Sequence, residues 1–198
     1  MERNELYPVF LKVNNLKVLI VGGGNVGVEK LTFLLKSSPK AQVQMVAPEF
    51  LDATQQLAEK HQVELTQERY DPKFLNGKHM VVACTDKPEV NEQVYNDCRE
   101  RSILVNVADN PPFCDFYMGG IVTKGNVKVA ISTNGKSPTT AKRLRQFFED
   151  VIPDNIDDLV KNLNAYRETL KGDFEQKVEA LNEFTKGLVK KSGDENQD

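Results

Sequence analysis

The 198-residue chain has only three cysteines and two histidines. Cys84, Cys98 and Cys114 are odd in number and never form a C-x-x-C pair, and Cys84 falls inside an apolar run. Reduced thiols are therefore expected in place of a disulfide frame or a redox pair. His61 and His79 stand in no ligand motif and the cysteines lack zinc spacing, so no tightly held metal is expected. No apolar run approaches the roughly 20 residues needed to cross a bilayer, which argues against a membrane span. The start, Met1-Glu2-Arg3-Asn4-Glu5-Leu6, lacks the basic and apolar stretches of a secretory signal and points to the cytoplasm. Excess basic charge is missing as well. At a net charge of −3 the chain has no global surface for displacing counterions from nucleic acid. What is left, 39% hydrophobic and 28% charged, is an ordinary globular composition.

Apolar runs and helical spacings alternate along the first half. Two strands are expected at 8–11 and 17–21, joined by a turn at Asn14-Asn15. The second is a continuous apolar run, as suits a strand buried on both faces of a parallel sheet. A helix from Val26 carries Val28, Leu31, Leu34 and Leu35 inward and stops at Ser37-Ser38-Pro39. The cycle continues with strands at 43–46, 63–66, 80–84 and 103–106 and helices at 50–60 and 88–101. Such alternation is the sequence form of right-handed βαβ units.

The pattern changes after Asn110-Pro111-Pro112. Strands at 121–124 and 127–132 flank Gly125-Asn126, a pair suited to a type II′ hairpin. Ser137-Pro138 then caps a helix that turns Leu144, Phe147 and Phe148 inward and ends at Ile152-Pro153. Two further helical stripes follow, Ile156, Leu159, Val160, Leu163 and Tyr166 and, after a break at Gly172, Phe174, Val178, Leu181, Phe184 and Leu188. The polar tail from 190 to 198 reads as disordered. The expected organisation is α/β: a Rossmann-type parallel-sheet domain at 1–113, a small hairpin-plus-helix element at 114–150 and a helical region at 151–198.

Gly22-Gly23-Gly24-Asn25-Val26-Gly27 fits G-x-G-x-x-G directly after a strand and before a helix. Gly22 would permit the tight turn, Gly24 the close approach of a pyrophosphate, and Gly27 close packing of helix on sheet. The N–H groups near Asn25 and Val26 would face the anion. An acidic residue about 20 positions on usually receives the ribose hydroxyls. The strand at 43–46 runs out in Val46-Ala47-Pro48-Glu49, making Glu49 the candidate, although Pro48 displaces it from the strand tip and it could instead be a helix N-terminal charge. With no Arg or Lys directly after this strand to meet a 2′-phosphate, NAD is favoured over NADP.

Three stretches together carry a family resemblance: Val21-Gly22-Gly23-Gly24-Asn25-Val26 with Lys30; Ala83-Cys84-Thr85-Asp86; and Asn106-Val107-Ala108-Asp109, followed by the hairpin and Ser132-Thr133-Asn134-Gly135-Lys136-Ser137-Pro138. Over about residues 8–150 the chain resembles the precorrin-2 dehydrogenases, the sirohydrochlorin-forming enzymes of siroheme and cobalamin synthesis. The resemblance implies an NAD-dependent oxidation and a homodimer closed by the second element over a tetrapyrrole cleft. Some relatives carry a fused methyltransferase, for which no room is expected here; others also insert ferrous iron, which leaves a bifunctional dehydrogenase/ferrochelatase open.

Oxidising a reduced tetrapyrrole means losing a hydride and a proton, so a base is needed. Asp109, just beyond the strand at 103–106, would lie at the carboxyl edge of the sheet, where open α/β folds bind ligands; the resemblance links it to catalysis, and the plainer alternative is a loop-capping aspartate. A substrate rich in carboxylates needs cations and N–H donors. Thr133, Lys136, Ser137 and Arg143 meet this need at the start of a helix, with Lys142 and Arg145 nearby, although a solvated basic face would look the same. A non-catalytic NAD-sensing module and a dehydrogenase for a smaller substrate share the glycine turn; the motifs from Asn106 onward speak against both.

Overall fold

A computed structural model describes residues 3–171 and 173–185. The expected Gly172 break, Leu188, the 190–198 tail and the side chain of Phe184 lie outside the described residues. The chain divides into two compact units, one of Met1–Ile121 with Ile131–Arg143, the other of Val122–Ala130 with Leu144–Asp198.

The first unit is the expected parallel sheet. Strands β1 (Lys17–Val21), β2 (Gln42–Val46), β3 (Glu64–Thr66), β4 (Met80–Ala83) and β5 (Leu104–Val107) lie in the order β3-β2-β1-β4-β5. Alternate side chains of a strand point to opposite faces, and β1 shows the result. Val18 and Ile20 join Leu31, Leu34 and Leu35 of helix α1 (Asn25–Ser37) and Ala58 of α2 (Asp52–His61) in one core. Leu19 and Val21 join Val94 and Cys98 of α3 (Pro88–Glu100) in the other. The unbroken apolar run is thus buried on both sides, with helices over each face. In register, Thr66, Val46, Val21, Ala83 and Val107 form one row across the sheet. Every loop that follows a strand therefore leaves from the same carboxyl edge.

Residues 8–11 do not form the expected strand. They lie in no strand or helix, with Val9 and Phe10 exposed, and the chain enters β1 through a 3-10 turn at Val13–Asn15. A strand needs a ladder partner, and β1 is already paired on both sides, by β2 and β4. Helix α2 begins two residues later than the periodicity suggests, because the Leu51 N–H is held by the Gly23 carbonyl at 3.2 Å.

Beyond the sheet, β6 (Gly120–Lys124) and β7 (Val127–Ile131) form a two-stranded hairpin. Gly125 has φ +56° and Asn126 is not among the positive-φ residues, the combination of a type II′ turn. The Asp157 carboxylate of α5 (Ile156–Thr169) accepts the Asn126 backbone N–H at 2.6 Å and its amide at 2.7 Å, while Lys124 pairs with Asp154. Helix α4 (Pro138–Val151) departs from expectation: Leu144 and Phe147 are exposed instead of inward, and Phe148 is half-buried. Ile156, Leu159, Val160 and Leu163 on α5 are half-buried, whereas Tyr166 and, on α6 (Phe174–Thr185), Phe174 and Val178 are exposed.

Candidate functional site

The glycine turn is where the sheet edge and α1 meet. Gly22 has φ +131°, a conformation barred to most side chains, and a Cβ there would lie 2.7 Å from the Cys84 carbonyl oxygen. A Cβ on Gly27 would lie 2.4 Å from the Gly22 carbonyl oxygen, so this glycine lets α1 close on β1. At Gly24, the N-cap of α1, a Cβ would meet nothing within 4 Å. The first N–H groups of a helix have no partner within it, so those of Asn25, Val26 and Gly27 open toward that space with the positive end of the helix dipole. These three environments, tight, open and tight, fit a pyrophosphate at the middle position.

Gly23, an unassigned position of the motif, has a task of its own. A Cβ there would stand 2.2 Å from the Glu49 carbonyl oxygen and 2.9 Å from the Ala47 Cβ. The turn is thus packed against the β2–α2 loop, and the fully buried Thr54 donates its hydroxyl to the Gly23 carbonyl at 3.1 Å. Pro48 and Glu49 are exposed in this loop at the end of β2, beside the turn. Nothing in the glycine pattern points to Thr54.

On the other side of β1, the β4–α3 loop is held by its own side chains. Thr85 N–H and hydroxyl both reach Asn91 Oδ1, at 3.1 and 2.8 Å, and Asn91 returns its amide to the Thr85 carbonyl at 3.0 Å. Cys84 is buried against the Val21 carbonyl, and burial pushes its thiol up to about 12. It stays protonated and is no nucleophile. All three cysteines are free.

After β5 the chain makes a tight turn in which Asp109 adopts φ +58° and projects to solvent. An aspartate tolerates this left-handed conformation better than most residues, but such positions are uncommon and cluster at functional sites. The turn is built in: Ala108 N–H bonds the Ala83 carbonyl at 2.9 Å, and the Cys114 thiol sits 3.2 Å from the Val107 carbonyl and 3.3 Å from that of Asn110. The buried Asn106 donates to the Phe116 carbonyl at 2.8 Å, and Asp115 accepts the Val105 N–H at 3.0 Å and Arg99 at 2.9 Å. Phe113 stacks on Tyr95 with centroids 4.3 Å apart. The prolines after Asn110 hid this return along β5. The register row puts Gly22, Ala47 and Ala108 one residue beyond the same line, so Glu49 and Asp109 stand on opposite sides of the glycine turn.

Ser137 is the cap expected for α4, its hydroxyl accepting the Thr140 N–H at 3.2 Å. Thr133 Oγ1 donates to the Ser137 carbonyl at 3.1 Å and accepts the Ser137 N–H at 3.3 Å, so both hydroxyls hold the loop. Lys136, Lys142 and Arg143 are exposed, while Arg145 pairs with Glu149 one turn on. Among the described residues no group of three His, Cys, Asp or Glu is placed to hold a metal, and no helix is long and apolar enough to cross a membrane.

Residues 9–120, more than half of the chain, match the family model described as putative NAD(P)-binding. The chain belongs to this NAD(P)-binding family. Residues 124–150 match a second model, the central part of a sirohaem biosynthesis protein. Among curated relatives, the siroheme synthase of Photorhabdus laumondii is 37% identical over 83% of this chain and 34% of its own length. That of Pseudoalteromonas translucida is 36% identical over 84% and 35%. The chain thus spans about a third of the length of these relatives. A solved structure titled SirC, precorrin-2 dehydrogenase, has the same fold, with a TM-score of 0.70 at 24% identity over 90% of this chain and 89% of that one.

Proposed function

We propose that the protein oxidises precorrin-2 to sirohydrochlorin with NAD as hydride acceptor, in the cytoplasm and as a homodimer. The observation that carries the reading is Asp109, fixed in a strained turn at the carboxyl edge on which the glycine turn also lies. Residues 1–113 bind the dinucleotide in this reading, 114–150 form the dimer and contact substrate, and 151–198 extend the helical part. Support comes from siroheme synthase relatives over most of this chain and from the sirohaem-type match that begins where the sheet domain ends.

Gly22, Gly24, Asn25, Val26 and Gly27 hold the pyrophosphate, with Pro48 shaping the β2 loop and Glu49 taking the adenosine ribose. NAD, when bound, supplies a two-electron acceptor at its nicotinamide ring. With the ribose taken on the β2 side, the β4–β5 side is left for the substrate, where the Asp109 carboxylate removes the macrocycle proton as the hydride departs. Lys136 and Arg143 meet substrate carboxylates as charge-assisted donors, while Thr133 and Ser137 shape the helix start that presents N–H groups to them.

Incubation with precorrin-2 and NAD, without metal, tests the reading. NADH and the sirohydrochlorin spectrum should appear in equal amounts, and Asp109→Ala should cut turnover by about 10²- to 10⁴-fold while binding NAD normally. NAD binding without turnover by the wild type would defeat the proposal, and full activity of Asp109→Ala would defeat the assignment of the base.

A further inference from the structure

We infer that Thr54 is a positioning residue for dinucleotide binding: through the Gly23 carbonyl it aims the Gly24 N–H at the pyrophosphate. The inference rests on the dinucleotide reading of the glycine turn and adds a residue outside its motif.

Thr54 lies in the first turn of α2, where a threonine would ordinarily face solvent or bond its own helix end. Instead it is fully buried, and its hydroxyl crosses to the Gly23 carbonyl at 3.1 Å. The Leu51 N–H reaches the same oxygen at 3.2 Å. A peptide carbonyl has two lone pairs, so these donors satisfy it fully from the α2 side.

The consequence follows from peptide geometry. The chain has no cis peptide bonds among the described residues, and in a planar trans unit the carbonyl and the next N–H point opposite ways. Drawing the Gly23 oxygen toward α2 turns the Gly24 N–H away from it. Gly24 caps α1 and stands in open space, with no protein atom within 4 Å of a Cβ built on it. The glycines at this turn leave it soft. Without Thr54 only the Leu51 N–H would hold the Gly23 oxygen, and any rotation of the Gly23–Gly24 unit would turn an N–H donor away and bring a carbonyl dipole of the wrong sign toward the anion. Thr54 touches no ligand in this account; it acts through one peptide plane.

Three variants separate this role from simple packing. Thr54→Val keeps shape and removes the donor; Thr54→Ser and Thr54→Ala both lose the methyl and differ only in the hydroxyl. NAD affinity is measured by calorimetry, and the Gly24 amide is followed in ¹⁵N-resolved spectra during the titration. Thr54→Val and Thr54→Ala should bind about tenfold more weakly, the effect of one ordinary hydrogen bond. Their Gly24 amide should also lose most of the ligand-induced shift seen in the wild type. Thr54→Ser should stay within about twofold of wild type in affinity. If Thr54→Val fails to fold, the Ser–Ala pair decides. Equal weakening of Ser and Ala, an unchanged Ala variant, or an undiminished Gly24 shift in the Ala variant would overturn the inference. A wild type that binds neither NAD nor NADP would overturn it together with the reading of the turn.

Discussion

The sheet unit and the C-terminal helices treat their apolar side chains in opposite ways. Around the sheet, Leu19, Ile20, Leu31, Met45, Val81 and Val105 are fully buried by elements of the same unit. In α4 and α5 no residue is fully buried, and Leu144, Phe147 and Val151 line one exposed face of α4 at helical spacing. The first unit completes its own core. The second presents apolar surface of the kind that marks a protein interface, in keeping with the homodimer proposed above. The polar chemistry divides the same way: hydrogen bonds around the glycine turn and Asp109 are buried or partly buried, whereas the Lys124–Asp154 and Asn126–Asp157 contacts are solvent-exposed.

The largest expected effect is on the buried side. Leu31→Ala removes a fully buried side chain from the core between α1 and β1 and should cost about 2–5 kcal/mol. Chemical denaturation should show the loss with an unchanged dependence on denaturant. A cost below about 1 kcal/mol would mean that the sheet core can collapse around the gap, and the contrast between the regions would weaken.

That contrast also explains what could be read in advance. Long-range burial leaves a local signature in β1, where a run apolar at every position demands two covered faces, and the glycines after it demand a turn. The place of Asp109 at the sheet edge was legible because it follows directly on the apolar run that forms β5, whereas its link to catalysis came from the family resemblance. Residues 8–11 have the same apolar character as a strand, but character does not supply a hydrogen-bonding partner, and the adjoining β1 is already paired on both sides. Leu144 and Phe147 sit at core spacing, and spacing alone cannot say whether the cover is this chain or a second one. Thr54 escaped because it acts on a backbone group far away in sequence, and Asn91 and Cys114 because each reaches back across a loop to a backbone group six or seven residues earlier. No periodicity encodes such contacts.

The exposed face of α4 allows a sharper cut between the regions. Phe147→Asp places a charge on a side chain that is 55% exposed, so folding of the single chain should change by less than about 1 kcal/mol. If the face is a subunit contact, sedimentation should show the variant as a monomer at concentrations where the wild type is a dimer. A variant that stays dimeric would place the interface elsewhere.

The smallest effect should come from the hairpin latch, and pH decides it. Asp157 has its carboxyl held below the usual carboxylate range by the Lys161 ammonium first and by the Asn126 N–H next, and Lys124 does the same for Asp154. A carboxylate whose folded value is depressed contributes stability that is present above its unfolded value and lost as pH falls through the folded one. The wild-type contribution should therefore be complete at pH 7, begin to fade below about pH 5 and be gone under strongly acidic conditions. Asp154 is exposed and Asp157 half-buried at the surface, so the effect is a shift of a degree or two in Tm at most, as for surface pairs in general. Asp157→Asn should melt slightly below wild type at pH 7 and coincide with it near pH 2. A gap that persists in acid would show that the amide fails for steric reasons, and that charge has no part in fastening the hairpin to α5.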